Sequence, residues 1–221
     1  MNDFVQFFSD SDAANVSTSI KMMLLLTVLS LAPAILILMT SFARIVIVLS
    51  FVRTALATQQ MPPNQVIVGL ALFLTFFIMA PTFQQVNEQA LTPLFADEIT
   101  LEEAYENASM PLKEFMSKHT RQKDLELFLR YNQAEVPESL EDLPLTMLVP
   151  AFALSEIKTA FQMGFMIFIP FLVIDMIVAS ILMSMGMMML PPVMISLPFK
   201  ILLFVLVDGW YLIIKSLLQS F

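Results

Sequence analysis

Residues 22–43 run for twenty-two positions without an ionisable side chain, enough as a helix to cross the ~30 Å hydrocarbon core of a bilayer. Three more apolar runs follow, at residues 66–83, 151–183 and 193–218. Apolar segments of this length must be helical where no water can satisfy the backbone. Charged residues make up only 14% of the 221, against about a quarter in a soluble domain, and the mean hydropathy is +0.80. The expected fold is therefore all-α and of the integral-membrane type.

The runs pair into two long, kinked helical hairpins. Residues 21–83 form the first, with a kink at Pro33, a pattern continuing past Arg44 to Val52, a polar turn at residues 58–65 and an end near Pro81. Residues 151–221 form the second, turning at residues 183–193, with Pro170 expected to break or kink its first arm. Between them, residues 84–150 hold thirteen Asp/Glu and five Lys/Arg, which accounts for the whole net charge of −8. That insert is read as a small, acidic, water-exposed helical domain. Thr100 and Glu103 have capping-box spacing, and Pro111 suits the first turn of a further helix. Leu112, Phe115 and Met116 fall on one face there, and Leu125, Phe128 and Leu129 repeat the spacing. Residues 1–20 are polar and acidic, unlike a signal peptide. Arg44 and Arg53 flank the first hairpin tip and favour the cytoplasmic side for both tips, with the acidic domain on the other.

Several chemistries lack their residues. There is no cysteine, one histidine (His119), and four glycines that form neither a nucleotide-binding nor a helix-dimer motif. No catalytic set, metal site, cofactor or nucleic-acid partner is expected.

Seven ionisable residues do interrupt the apolar runs: Arg44, Glu156, Lys158, Asp175, Lys200, Asp208 and Lys215. A charge at the centre of a lipid-facing helix costs at least ~2.5–3.5 kcal/mol. Neighbours in sequence are wrongly spaced to pair on one helix, so partners must come from other helices or other subunits. Ion pairing that fixes assembly is the favoured reading; a proton relay is the alternative. The third and fourth runs suit burial among protein better than lipid, so an oligomer is expected.

The turn at residues 183–193 reads MSMGMMMLPPV. Methionine clusters are commonly core filler. Here the residues are uncharged and flexible, and Gly186, Pro191 and Pro192 interrupt the helix on either side of Met187, Met188 and Met189.

Longer stretches carry a resemblance: MTSFARIVIVLSFVRTAL (residues 39–56), PAFALSEIKTAFQMGFMIFIPFLVID (150–175), MGMMMLPP (185–192) and LPFKILLFVLVDGW (197–210). In these the chain resembles the FliP family of flagellar type III export-gate proteins, over essentially its whole length after about residue 21. The resemblance implies an oligomeric pore subunit of the bacterial inner membrane and flagellar basal body, with the acidic domain periplasmic. It implies five copies of the chain with FliR and FliQ, other export components and unfolded flagellar substrates as partners, and lipid only at the periphery. It further implies a methionine gasket across the pore (Met185, Met187, Met188 and Met189) hinged at Gly186, Pro191 and Pro192. By the same resemblance Arg121, Glu156, Asp175 and Lys200 tie subunits together; Arg44, Lys158 and Asp208 are read from their place in the apolar runs as further interhelix or inter-subunit charges. The expected function is passage of unfolded proteins, without enzymatic activity. The alternative is a secondary transporter or proton channel using Glu156, Asp175 and Asp208.

Overall fold

The computed structural model describes residues 22, 23, 26, 27, 30, 31, 33–58, 61–133, 137, 139–187 and 189–221. Two units separate at Ile37 and Leu38. The described residues of the first are helical and largely exposed. The second unit holds the helices α1 (Phe42–Ala55), α2 (Asn64–Val86), α3 (Thr92–Phe95), α4 (Leu101–His119), α5 (Gln122–Tyr131), α6 (Leu145–Ser184), α7 (Pro192–Leu206) and α8 (Gly209–Gln219), with a π turn at Asn87–Leu91. No strand occurs among the described residues.

α6 is the axis of the second unit. Its forty residues correspond to about 60 Å of helix, and it and Asn64–Phe95 are each long and apolar enough to cross a membrane. Pro150 and Pro170 both lie inside α6. The helix continues through Pro170, where a break or kink is expected. An apolar sequence on either side leaves the helix as the backbone's best way to satisfy its polar groups, despite one lost N–H at each proline. α2 likewise runs through Pro81 rather than ending there. Its π turn leaves the Gln89 carbonyl to accept from Asn107 Nδ2 at 3.1 Å, a side chain from α4.

α1 buries Ile45, Val48, Leu49 and Val52, a spacing of three, one and three that defines one helical stripe. That stripe packs on α6. The approach is close at Gly164, where an added Cβ would lie 2.5 Å from the Phe51 ring. Only a glycine fits there without displacing the ring.

The acidic segment is helical as expected, with one change. α4 continues through Pro111, so Pro111 does not start a helix. The Thr100 hydroxyl accepts from the Glu103 backbone N–H at 3.3 Å and Glu103 Oε2 accepts from the Thr100 N–H at 2.7 Å, completing the capping box. The Thr100 backbone N–H, then its hydroxyl, hold the Glu103 carboxyl below its ordinary pKa. Met116 and Leu129 meet Leu143, Met147, Leu148 and Phe152 in a buried cluster, flanked by Leu112, Phe115, Leu125 and Phe128. The core of the acidic layer thus includes the first turns of α6. Residues 84 and 150, where composition changes, both fall inside helical stretches.

The fourth apolar run is not one helix. α7 and α8 are bent by 63° about Asp208, whose φ of 51° is left-handed. A non-glycine residue seldom adopts that conformation, and Asp does so more readily than most. The Leu212 N–H still donates to the Asp208 carbonyl at 3.1 Å, starting α8 directly after the bend.

Candidate functional site: a methionine loop above buried ion pairs

The loop between α6 and α7 is closed off at both ends by backbone chemistry. Gly186 has φ of 75°. Its N–H donates to the Met183 carbonyl at 3.1 Å, and the Met187 N–H donates to the Leu182 carbonyl at 3.0 Å. These two bonds make a Schellman motif, in which the left-handed residue is usually glycine. On the far side Pro191 caps α7 and Pro192 occupies its first turn, where a missing N–H costs nothing. Met187, Met189 and Leu190, the described residues between, belong to neither helix.

Met183 and Met185 are exposed, Met189 is 97% exposed, and Met187 is half-buried; Met188 lies outside the described residues. Such exposure excludes core filling within one chain for Met185 and Met189. No ionisable group lies between Asp175 and Lys200.

Below the loop, the two arms are pinned together. Asp175 on α6 accepts from Lys200 Nζ at 2.6 Å and from the Ser196 hydroxyl, both on α7. Lys200 is buried, so removing either charge would strand the other in an apolar setting. Ser196 escaped notice in the sequence, although its i, i+4 relation to Lys200 puts both on one face.

A second buried pair joins α1 to α6. Arg44 Nε donates to Glu156 Oε2 at 2.9 Å, and Arg44 Nη2 makes a second bond to Glu156 Oε1. This two-pronged geometry suits a guanidinium far better than an ammonium. Arg44 Nη1 also donates to the Ser220 carbonyl at 2.8 Å, and its carbon lies 3.8 Å from the Phe221 ring centroid. Phe221 in turn stands edge-on to His119, 5.2 Å away. Burial first, then the Arg44 and Lys118 charges, lower the His119 pKa to about 4. His119 is therefore neutral at ordinary pH.

The remaining charges are arranged differently. Arg121 pairs with Asp124 at 2.5 Å, three residues away. Asp124 also accepts from the Ser155 hydroxyl at 2.6 Å, which links α5 to α6. Burial raises the Asp124 pKa, but the Ser155 and Arg121 hydrogen bonds outweigh it and leave the carboxyl below its usual range. Lys158 faces Lys123 and Arg121. Asp208 is exposed at the bend. Thus Arg44 with Glu156 and Asp175 with Lys200 meet between helices of one chain, whereas Lys158 and Asp208 have no ion pair among the described residues.

The amino-acid sequence has relatives among known proteins. The FliP family model matches residues 25–217. The Flagellar biosynthetic protein FliP of Bacillus subtilis is 75% identical over 221 residues, covering all of both chains. The same-named protein of Pectobacterium carotovorum is 55% identical over 205 residues, 92% of this chain and 79% of the relative. That of Aquifex aeolicus is 51% identical over 211 residues, 94% and 87% respectively.

Proposed function

The chain belongs to the FliP family, and from that premise we propose that it is the pore-forming subunit of a flagellar protein-export gate in the inner membrane. In this reading several copies, together with FliR and FliQ, surround a path for unfolded flagellar proteins. The methionine loop of each copy contributes a segment of a gasket across that path. The acidic layer lies on the periplasmic side.

The observation that carries the reading is the loop itself. Met189 projects from a segment with a Gly186 stop on one side and a double proline on the other, and Met185 is exposed just before that stop. Flexible thioethers pack against irregular surfaces without fixed directionality, which suits closure around varied unfolded segments. A ring of uncharged side chains is also a poor path for ions, because an ion would have to shed its water without receiving a partner.

The transporter reading has less support. Glu156 and Asp175 are each bonded to a cation, Arg44 and Lys200, so neither is poised to carry a proton alone. Only Asp208 remains.

The gasket is tested by replacing Met187, Met188 and Met189 with alanine in the assembled gate and measuring leakage of small ions across the membrane. Leakage should rise well above wild type while assembly persists. A gate that stays as tight as wild type would sink the idea.

A further inference from the structure

A gasket needs bulk and flexibility, and the methionine loop has a further property that closure does not use, a concentration of thioether sulfur. Around the turn between α6 and α7, Met176, Met183, Met185, Met189 and Met194 are all exposed, and Met187 is half-buried. No ionisable group lies between Asp175 and Lys200, and those two are bonded to each other. Cysteine is absent, and the single histidine, His119, ends α4. No group of three or more His, Asp or Glu side chains able to hold a metal ion occurs among the described residues. Hard and borderline metals, which take oxygen, imidazole or thiolate ligands, therefore have no such cluster among the described residues. Thioethers form a separate class of ligand.

The spacing of the loop sulfurs decides what they can hold. Met185, Met187 and Met189 alternate along a stretch that spans at most about 14 Å even when fully extended. The actual path is shorter, because Gly186 turns the chain with φ of 75° and the Met187 N–H returns to the Leu182 carbonyl at 3.0 Å. Over that distance three unbranched side chains, each with three rotatable bonds, can bring their sulfurs to one point. A hard cation there would lose its water without gaining a partner. A soft one exchanges water for neutral, polarizable sulfur, the donor type that selects Cu(I). We propose that Met185, Met187 and Met189 form a thioether site for a soft monovalent cation of the Cu(I) and Ag(I) class. One copy supplies all three donors, so the site goes beyond the gasket and does not depend on a ring. Loops that converge in an assembled gate add donors from neighbouring copies and raise the affinity.

The test titrates Ag(I), an air-stable substitute for Cu(I), into the full chain in its assembled complex. Bound silver is counted by native mass spectrometry, and its ligand atoms are read by X-ray absorption. Wild type should take up silver with sulfur alone around the ion and ignore Mg(II) at the same concentration. Leucine keeps the volume and apolarity of methionine and removes only the sulfur. Met185→Leu, Met187→Leu and Met189→Leu together should weaken binding at least about tenfold, the scale on which losing even an outer partner weakens a metal site. Met61→Leu with Met166→Leu, exposed methionines outside the loop, should leave binding unchanged. The pair Met187→Leu and Met189→Leu gives the same readout should the triple variant not assemble. Undiminished binding in these loop variants overturns the proposal, as do nitrogen or oxygen ligands around the ion, or a wild type that takes up no silver. The gasket fails separately. Leakage unchanged by the alanine replacements, with sulfur-bound silver intact in wild type and lost in the leucine variants, would contradict the gasket and uphold the site.

Discussion

The two halves of α6 are both rich in apolar residues but have opposite surroundings. From Leu145 to Gly164 the helix buries Met147, Leu148, Ala151, Phe152, Ser155, Glu156, Ala160 and Gly164. From Phe165 to Ser184 only Phe171 and Leu182 are buried, while Phe165, Met166, Met176, Ile177, Ile181 and Met183 are exposed. The first half finds its partners inside the chain, in α1, α4 and α5. The second half meets α7 through Asp175, Ser196 and Lys200, and most of its other apolar side chains stay exposed. A contiguous apolar surface of this kind marks a lipid or protein interface. The lesson is that stability and assembly are separated along one helix.

Substitutions can break that comparison. The largest effect is expected at Arg44. Arg44→Leu leaves Glu156 buried without its cation, a loss of roughly 3–5 kcal/mol, measurable by chemical unfolding in detergent. Phe152→Ala should cost about 3–5 kcal/mol by opening a cavity in the acidic layer's core. Phe165→Ala, only thirteen residues on, should change the stability of a single chain by ~0.5 kcal/mol or less, yet reduce recovery of the assembled complex. Equal losses at positions 152 and 165 would erase the contrast. Thr100→Ala removes a capping box on the acidic layer and should cost ~0.5–2 kcal/mol, without affecting assembly.

The smallest effect concerns pH. The folded-state pKa of His119, about 4, is below its ordinary value of 6.5. The folded protein thus favours the neutral ring, and its contribution to stability is complete above pH 6.5. It is lost as pH falls from there towards 4. His119→Phe should remove that part of the acid sensitivity in a melting-temperature series. An unchanged slope between pH 6.5 and 4 would show that the ring is not held neutral.

Much of this architecture is legible in the sequence, for identifiable reasons. Capping at Thr100 and the amphipathic faces of α4 and α5 are local, so spacing alone locates them. Pro81 and Pro111 misled, because they signal helix boundaries locally while the helices continue through them. Packing and the apolar setting outweigh one missing hydrogen bond at each. The bend at Asp208 was hidden in a continuous apolar run, although Asp208-Gly209 is a turn dipeptide. Charge pairing was least legible. Arg44 and Glu156 are 112 positions apart, and no periodicity connects residues so distant. Spacing along the runs points to partners on other helices or subunits without naming them.

The central claim is that the exposed methionine loop is exposed because other copies complete it. The chain has no cysteine, so Met189→Cys supplies one thiol in each copy at the most exposed of the loop's described positions. Mild oxidation of the assembled complex in membranes should link neighbouring copies through residue 189, with no such link from Phe73→Cys on α2. Absence of any link at 189 in intact complexes would contradict the account.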